Sequence, residues 1–120
     1  MGKAVIKLRK YCVYDRMFYV HLTLFIGDVV AFNKYLRHFP EYEGITASGR
    51  GKHLVDTEEK TSMIWVENKD IWTLSHELIH HCVCALSSRG VPLTYENDEV
   101  LAYYYEMMLK NILKKINTKK

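Results

Sequence analysis

One amphipathic segment, which begins at Asp70, constrains the fold more than any other part of the chain. Asp70 is a good N-cap residue and Gly90 is a good stop signal, so we predict one helix that runs to about Arg89. Five apolar or small residues fall on one side of this helix, away from His76 and His80. The helix must bury that side and then presents both histidines to a cleft. The five residues are Leu74, Leu78, Cys82, Ala85 and Leu86.

The first third of the chain predicts strands and one short helix. Residues 4–9 and 17–26 are rich in β-branched and aromatic residues, and the second run has the period of two that is typical of a strand. A helix follows from Asp28, its cap, to about Phe39, because apolar residues recur there at helical intervals. One face of the second strand would carry Val20, Leu22, Leu24 and Ile26.

The remainder of the chain predicts two more strands and two helices. The strands are Lys52 to Asp56 and Thr61 to Glu67, and the second leads directly into the helix after Asp70. A last helix begins near Thr94 or Asn97 and continues to about residue 116, and its small residue Ala102 would allow close approach of the helix pair. Strands come first and helices last, so we predict one α+β domain that spans residues 1–120.

Composition and charge limit the partners that we expect. The formal net charge is +3, and much of the excess lies in the basic ends of the chain, which are usually solvated. We therefore do not expect a nucleic-acid partner, although a regulator that uses 114–120 as a basic tail is an alternative. No run approaches the roughly 18 apolar residues of a membrane span, and the start lacks a secretory leader. Nothing in the sequence sets an oligomeric state.

The three cysteines favour a reducing compartment. Their number is odd, and Cys82 and Cys84 stand two residues apart on the predicted helix, which is poor geometry for a disulfide. We interpret these two and Cys12 as reduced, buried packing residues and predict a cytoplasmic protein.

Residues 76–80 read His-Glu-Leu-Ile-His, and this spacing carries the chemistry. At 3.6 residues per turn, His76 and His80 lie about one turn apart on the same face, so both imidazoles can reach one zinc ion. Glu77 lies about 100° around the helix from His76, where it can accept a proton from a water that the metal activates. The same spacing occurs in proteins that bind no metal, but the helical context and the preceding strand favour a zinc site.

A catalytic zinc site needs a third protein ligand, and the next helix supplies the best candidates. Glu99 lies in its first turn, and a hairpin of two helices can bring that turn back against the histidine pair. Glu96, three residues earlier, is the alternative ligand. Cys84 lies about 6 Å beyond His80 along the helix, so we interpret it as a packing residue.

The motif, followed after 18 residues by Glu99 in the sequence Asn-Asp-Glu-Val-Leu-Ala-Tyr, resembles the gluzincin-type zinc metallopeptidases. It is similar to the short metallopeptidases encoded by phages and mobile elements, and more distantly to the ImmA/IrrE group. The resemblance covers roughly residues 61 to 113. It implies a minimal zincin-like fold, with a small and mainly antiparallel sheet, an active-site helix and a C-terminal helix. It also implies Zn²⁺ held by His76, His80 and Glu99, with Glu77 as general base on a peptide or protein substrate.

The chain departs from this family pattern at two points. Thermolysin-like relatives carry an Asp four residues after the ligand Glu, but Tyr103 stands there, so Glu106, Asp98 or a backbone carbonyl must orient a ligand histidine. No residue for stabilising the oxyanion is evident, and Tyr95, Tyr103 and His53 are the candidates. A non-catalytic, zinc-stabilised binding or regulatory module of phage or mobile-element origin is therefore the alternative function.

The strand before the motif suggests how a substrate would bind. An extended peptide can pair with a free strand edge, which would present its scissile bond to the metal. We expect the strand from Thr61 to Glu67 to offer that edge.

Overall fold

Four strands and three helices form the part of the chain that the computed structural model describes, which is residues 8–42, 44–56 and 61–117. The strands are β1 (Leu8–Tyr14), β2 (His21–Gly27), β3 (Gly51–Asp56) and β4 (Thr61–Val66). The helices are α1 (Val29–Leu36), α2 (Ile71–Ser88) and α3 (Asp98–Asn117), with short 3₁₀ turns at Pro40–Tyr42 and Tyr95–Asn97. The predicted α+β class is confirmed.

The four strands form one sheet in the order β1-β2-β4-β3. β1 and β2 pair antiparallel, β3 and β4 pair antiparallel, and β2 and β4 pair parallel, so the sheet is mainly antiparallel as expected. The proposed edge strand is wrong. β4, which covers most of Thr61 to Glu67, lies between β2 and β3, because the β3–β4 hairpin joins the sheet through its second strand. Among the described strands, the outermost one on this side is β3.

The sheet separates two layers of helix. α2 and α3 pack on one face together with alternate residues of β2, and the four residues predicted for that face are all buried there. All five apolar residues predicted on the buried side of α2 are buried as well. The other face packs against α1, where the Phe32 ring stacks on Trp65 with ring centroids 5.6 Å apart. The sheet and α2 therefore have the sidedness that their sequence periods predict.

The helix ends follow local capping chemistry. Asp28 caps α1 by accepting from the backbone N–H groups of Val30 and Ala31, and Asp70 caps α2 by accepting from Trp72. After α2 the chain reverses at Gly90, whose φ of +76° is a left-handed conformation that suits glycine. None of the helices in the described ranges is long and apolar enough to cross a membrane.

The sequence ended the first strand too early. β1 continues to Tyr14, five residues beyond the predicted end, and residues 4–7 of the predicted strand lie outside the described residues. The hairpin that joins Tyr14 to β2 also positions Asp15, whose side chain is buried.

A buried polar chain ties β1 to both long helices. The Tyr104 hydroxyl on α3 donates to Asp15 Oδ2 at 2.6 Å, and His81 Nε2 on α2 lies 3.0 Å from the same hydroxyl. Asp15 also accepts from the backbone N–H of Phe18. Buried polar groups are tolerated only when they are hydrogen-bonded. The hydrogen bonds between Asp15, Tyr104 and His81 therefore restrict how α2 and α3 pack on the sheet.

We predict that Tyr104→Phe lowers the free energy of unfolding by about 2–3 kcal/mol, because it removes hydrogen-bond partners from a buried carboxylate and a buried imidazole. Tyr103→Phe is the matched control, since its side chain is exposed, and it should change stability by less than about 0.5 kcal/mol. Urea unfolding of both variants measures the difference. Equal stabilities of the two variants would show that the hydrogen bonds of Tyr104 to Asp15 and His81 do not stabilise the fold.

Candidate metal centre

α2 presents two imidazoles on its exposed face. His76 and His80 are both exposed, and their ring centroids lie 5.0 Å apart with the ring planes 77° apart. The apolar stripe on the opposite side of α2 is buried in the core, which fixes the rotation of the helix and turns both rings outward. The predicted pair is therefore brought together on one helix face.

Glu77 lies at the boundary between this exposed face and the core. Its side chain is 8% exposed and packs beneath the first residue of β3. A Cβ atom on Gly51 would lie 3.0 Å from Glu77 Oε2 and 2.9 Å from Thr73 Cγ2, so no side chain fits there without a shift. The glycine lets β3 pass closely over the carboxylate, which holds Glu77 next to the histidine pair.

β3 and α2 enclose a small crevice at this point. Successive β3 residues alternate in direction: Gly51 contacts Glu77, while Leu54 packs in the core on the other face of the sheet. The same alternation turns His53 toward α2. The crevice has a volume of about 290 Å³ and is lined by Gly51, Lys52, His53, Glu77 and His80.

His53 is the one oxyanion candidate that the structure brings to this crevice. Its ring centroid lies 6.1 Å from that of His80, and its Nε2 is 2.7 Å from Ser62 Oγ on the neighbouring strand. Burial, with a smaller contribution from the charge of His80, lowers the pKa of His53 to about 4. His53 is therefore a neutral hydrogen-bonding ring at neutral pH.

His81, which the sequence analysis did not single out, lies directly behind the pair. It is fully buried, and burial, then the charge of His53, lowers its pKa to about 4, while Asp15 acts in the opposite direction. Its Nδ1 is a buried nitrogen to which none of the described residues makes a hydrogen bond. The sequence offered one signal that His81 is buried, because this residue falls on the buried side of α2. It offered no signal for the hydrogen-bond partners of His81, because they are distant in sequence.

Glu99 lies in the first turn of α3, as predicted, and its side chain is exposed. Glu96 is exposed in the 3₁₀ turn before α3, and Cys84 is half-buried on α2. Within residues 8–42, 44–56 and 61–117, no three His, Cys, Asp or Glu side chains stand close enough together to hold one ion as they are placed. The structure thus places His76, Glu77 and His80 next to one another, whereas Glu99 remains a predicted ligand.

The other predicted supporting residues lie on the surface. Tyr95 and Tyr103 are 88% and 63% exposed. Glu106 forms an ion pair with Lys110 at 3.2 Å, and Asp98 is exposed at the start of α3. These contacts do not link any of the four to the histidine pair.

Two smaller predictions are wrong. Ala102, which we expected between α2 and α3, is exposed, because α3 packs through the face that carries Tyr104 and Met108. The cysteines are not all buried: Cys12 is exposed on β1, and only Cys82 lies in the core. Burial, with a smaller effect of Asp15, raises the pKa of Cys82 to about 12, so that thiol stays protonated.

The donor chemistry of the site fits zinc. Imidazole nitrogens are ligands that Zn²⁺ takes in catalytic sites, and two exposed imidazoles stand side by side here. A scan against models of known families finds no match for this chain, and searches of curated proteins and of solved structures find none.

We predict that Gly51→Ala displaces the Glu77 carboxylate and lowers the free energy of unfolding by about 1–2 kcal/mol, because the new methyl group overlaps Glu77 and Thr73. Urea unfolding and the ¹³C resonance of the Glu77 carboxyl measure the two effects. Thr73→Ser, which removes the methyl group nearest the new Cβ, should restore part of the stability in the double variant. A Gly51→Ala protein with unchanged stability and an unmoved Glu77 resonance would refute the close contact.

Proposed function

We propose that this chain is a zinc-dependent metallopeptidase, with His76, His80 and Glu99 as zinc ligands and Glu77 as general base. The observation that carries the proposal is the pair of exposed imidazoles, 5.0 Å apart, beside a carboxylate that is held in a crevice under an edge strand. Imidazoles at this spacing on a helix suit one ion, and Glu77 lies off their common face.

The residues of the crevice are suited to different roles in peptide hydrolysis. A bound zinc ion would supply Lewis acidity, which lowers the pKa of a water molecule and polarises a peptide carbonyl. Glu77 accepts a proton from the attacking water and returns it to the leaving amine. Gly51 above Glu77 limits the movement of its carboxylate, which favours a fixed position for proton transfer.

His53 is suited to a supporting role in this reaction. Its neutral ring lies next to His80, and Ser62 anchors it through Nε2. When the Ser62 hydroxyl donates to Nε2, the ring hydrogen is on Nδ1 and can be donated to the carbonyl oxygen of a substrate. His53, one of the three candidates from the sequence, would then be the hydrogen-bond donor that stabilises the oxyanion.

β3 is the strand that an extended substrate can join. It is the last strand on its side of the sheet and runs along the crevice that holds Glu77 and His80. Backbone pairing with β3 would place a peptide across the histidine pair, as the sequence argument expected for β4. We propose a cytoplasmic peptide or protein substrate and no membrane or nucleic-acid partner.

Glu99 comes from a helix that is fixed to α2 near the histidines. The Ser75 hydroxyl, next to His76 in sequence, hydrogen-bonds the Tyr105 hydroxyl of α3. The exposed Glu99 side chain at the start of α3 can change rotamer without disturbing the core.

We expect the purified chain to bind one zinc ion. His76→Ala should weaken zinc affinity by more than about a hundredfold, because it removes a ligand, and Glu99→Ala should weaken it in the same direction. Competition with a chromophoric chelator measures the affinity. Glu96→Ala is the matched control, since this glutamate is also exposed next to α3, and it should leave affinity unchanged. A wild-type chain that binds no zinc would end the proposal.

Glu77→Gln separates catalysis from metal binding. The variant keeps the shape of the side chain, so it should retain zinc, while peptide hydrolysis falls by about 10²- to 10⁴-fold because the proton acceptor is lost. Cleavage of a mixed peptide library, followed by mass spectrometry, measures activity. Retained hydrolysis would show that Glu77 is not the base. A wild-type chain that binds zinc and is stabilised by it, but cleaves nothing, would establish the zinc-stabilised module instead.

A further inference from the structure

A groove lies beside β1, at the end of the sheet opposite to β3 and the candidate metal centre. It has a volume of about 530 Å³ and is lined by β1, the first residue of β2, the turn that joins these strands and the C-terminal half of α3. β1 is the outermost of the described strands on this side. The groove is therefore separate from the crevice that holds the histidine pair.

Residues of both faces of β1 line this groove. Val13 packs in the core beneath the long helices, and its neighbours Cys12 and Tyr14 point to the other face, because successive residues of a strand alternate. His21, the partner of Tyr14 on β2, shares that face, and the two ring centroids lie 4.4 Å apart. A groove that touches both faces of an outermost strand passes along its edge, where the backbone N–H and C=O groups face no other described strand.

The charges in this groove have one sign. Arg16, Lys114 and Lys115 line it, and the lining residues that the structure describes include no aspartate or glutamate. Arg16 and Lys115 are exposed, and neither forms an ion pair with a described carboxylate. Asp15, the neighbour of Arg16, is buried and hydrogen-bonded in the core. The groove therefore presents a positive field to solvent, which attracts an anionic partner.

We propose that this groove binds an extended acidic segment of a partner protein, which joins the sheet as a strand next to β1. The backbone of the segment would pair with the N–H and C=O groups at the β1 edge, and its carboxylates would meet Arg16, Lys114 and Lys115. This interaction goes beyond the proposed peptidase chemistry, because β1 and β3 lie at opposite ends of the sheet. A partner anchored here leaves the crevice open.

The two sides of the β1 edge select an alternating sequence. Lys114 and Lys115 come from α3, which packs on one face of the sheet, whereas Tyr14 and His21 lie on the other face. The side chains of an added strand alternate between these faces. Carboxylates at every second position would thus lie toward α3, and the apolar side chains between them would lie against the ring pair of Tyr14 and His21.

The backbone groups of the edge favour a peptide over a nucleic acid. A strand edge presents both N–H donors and C=O acceptors, and an extended peptide supplies the complement of both. The sugar-phosphate backbone of DNA offers oxygen acceptors but no N–H donor, so it would leave the C=O groups of β1 unmatched. A second copy of this chain is disfavoured, because like charges would face each other when two β1 edges pair.

The probe is a fluorescein-labelled peptide of three Glu-Val repeats, and fluorescence anisotropy measures its binding to the full chain. In an added strand only alternate residues hydrogen-bond to β1, so two versions, each N-methylated at one alternate set of amides, should differ although their charges are equal. We expect one version to bind at least about tenfold more weakly than the unmodified peptide, because it loses backbone hydrogen bonds, and the other to bind within about twofold. A shift by one residue would not rescue the first version, because it would turn the carboxylates away from α3. Equal affinities of the two versions would overturn strand addition.

Matched charge variants test the location. Arg16→Gln and Lys115→Gln each remove one cation from the groove and should weaken peptide binding about two- to fivefold, the range of exposed ion pairs. Lys34→Gln removes the same charge from α1, away from the groove, and should leave the affinity unchanged. All three side chains are exposed, so the fold should persist, which urea unfolding checks. Equal effects of the three variants would show that only net charge attracts the peptide and would overturn the docking site.

An oligonucleotide separates the two anionic classes of partner. A labelled thymidine dodecamer that binds more tightly than the peptide, and loses affinity in Arg16→Gln and Lys115→Gln, would assign the groove to nucleic acid and overturn the proposal. Weaker binding of the oligonucleotide than of the peptide supports strand addition. Zinc binding is a separate measurement. A chain that takes the peptide at β1 but no zinc would end the peptidase proposal alone, and a chain that binds zinc but no acidic peptide would end this one alone.

Discussion

The rotation of α2 about its own axis determines which of its side chains reach the crevice. Successive residues point about 100° apart around a helix, so burying Leu78 and Cys82 against the sheet assigns the other positions at the same time. His76 and His80 turn to solvent, Glu77 comes to the boundary under β3, and His81 enters the core. Apolar burial and the chemistry of the site are thus set by one packing contact.

The entry of His81 into the core imposes a requirement on the rest of the chain. A buried imidazole needs a hydrogen-bond partner, and the partner here is the Tyr104 hydroxyl, which in turn needs Asp15. Apolar packing alone allows a helix to slide by one turn with little loss of stability. Hydrogen bonds between specific atoms do not allow this, because a slide would break them. The buried chain therefore selects one arrangement of β1, α2 and α3, and this arrangement also determines where the first turn of α3 lies relative to the histidine pair.

The sequence predicted what depends on neighbouring residues and missed what depends on distant ones. The buried stripe of α2, the inner face of β2 and the caps at Asp28 and Asp70 follow from periods and capping chemistry within one element, and all are confirmed. The free edge expected at the strand from Thr61 to Glu67 was wrong because pairing is decided by the whole β3–β4 hairpin. Ala102 was misplaced because its small size favours close packing only if the helix turns that way, and the burial of Tyr104 turns it outward. No local pattern joins Asp15 to Tyr104, which lies 89 residues later.

The low pKa values of His53 and His81 bear on what the crevice can hold. Burial keeps both rings neutral at neutral pH, so the walls around Glu77 and His80 carry no fixed positive charge from them. A protonated His53, with its ring 6.1 Å from that of His80, would oppose a divalent cation there by simple repulsion. Neutral rings instead act as hydrogen-bonding groups, with His53 anchored by Ser62 and His81 by Tyr104. The burial that fixes the fold thus leaves Lys52 and Glu77 as the charged residue types among those that line this crevice, so a cation bound there would meet one attractive and one repulsive side chain.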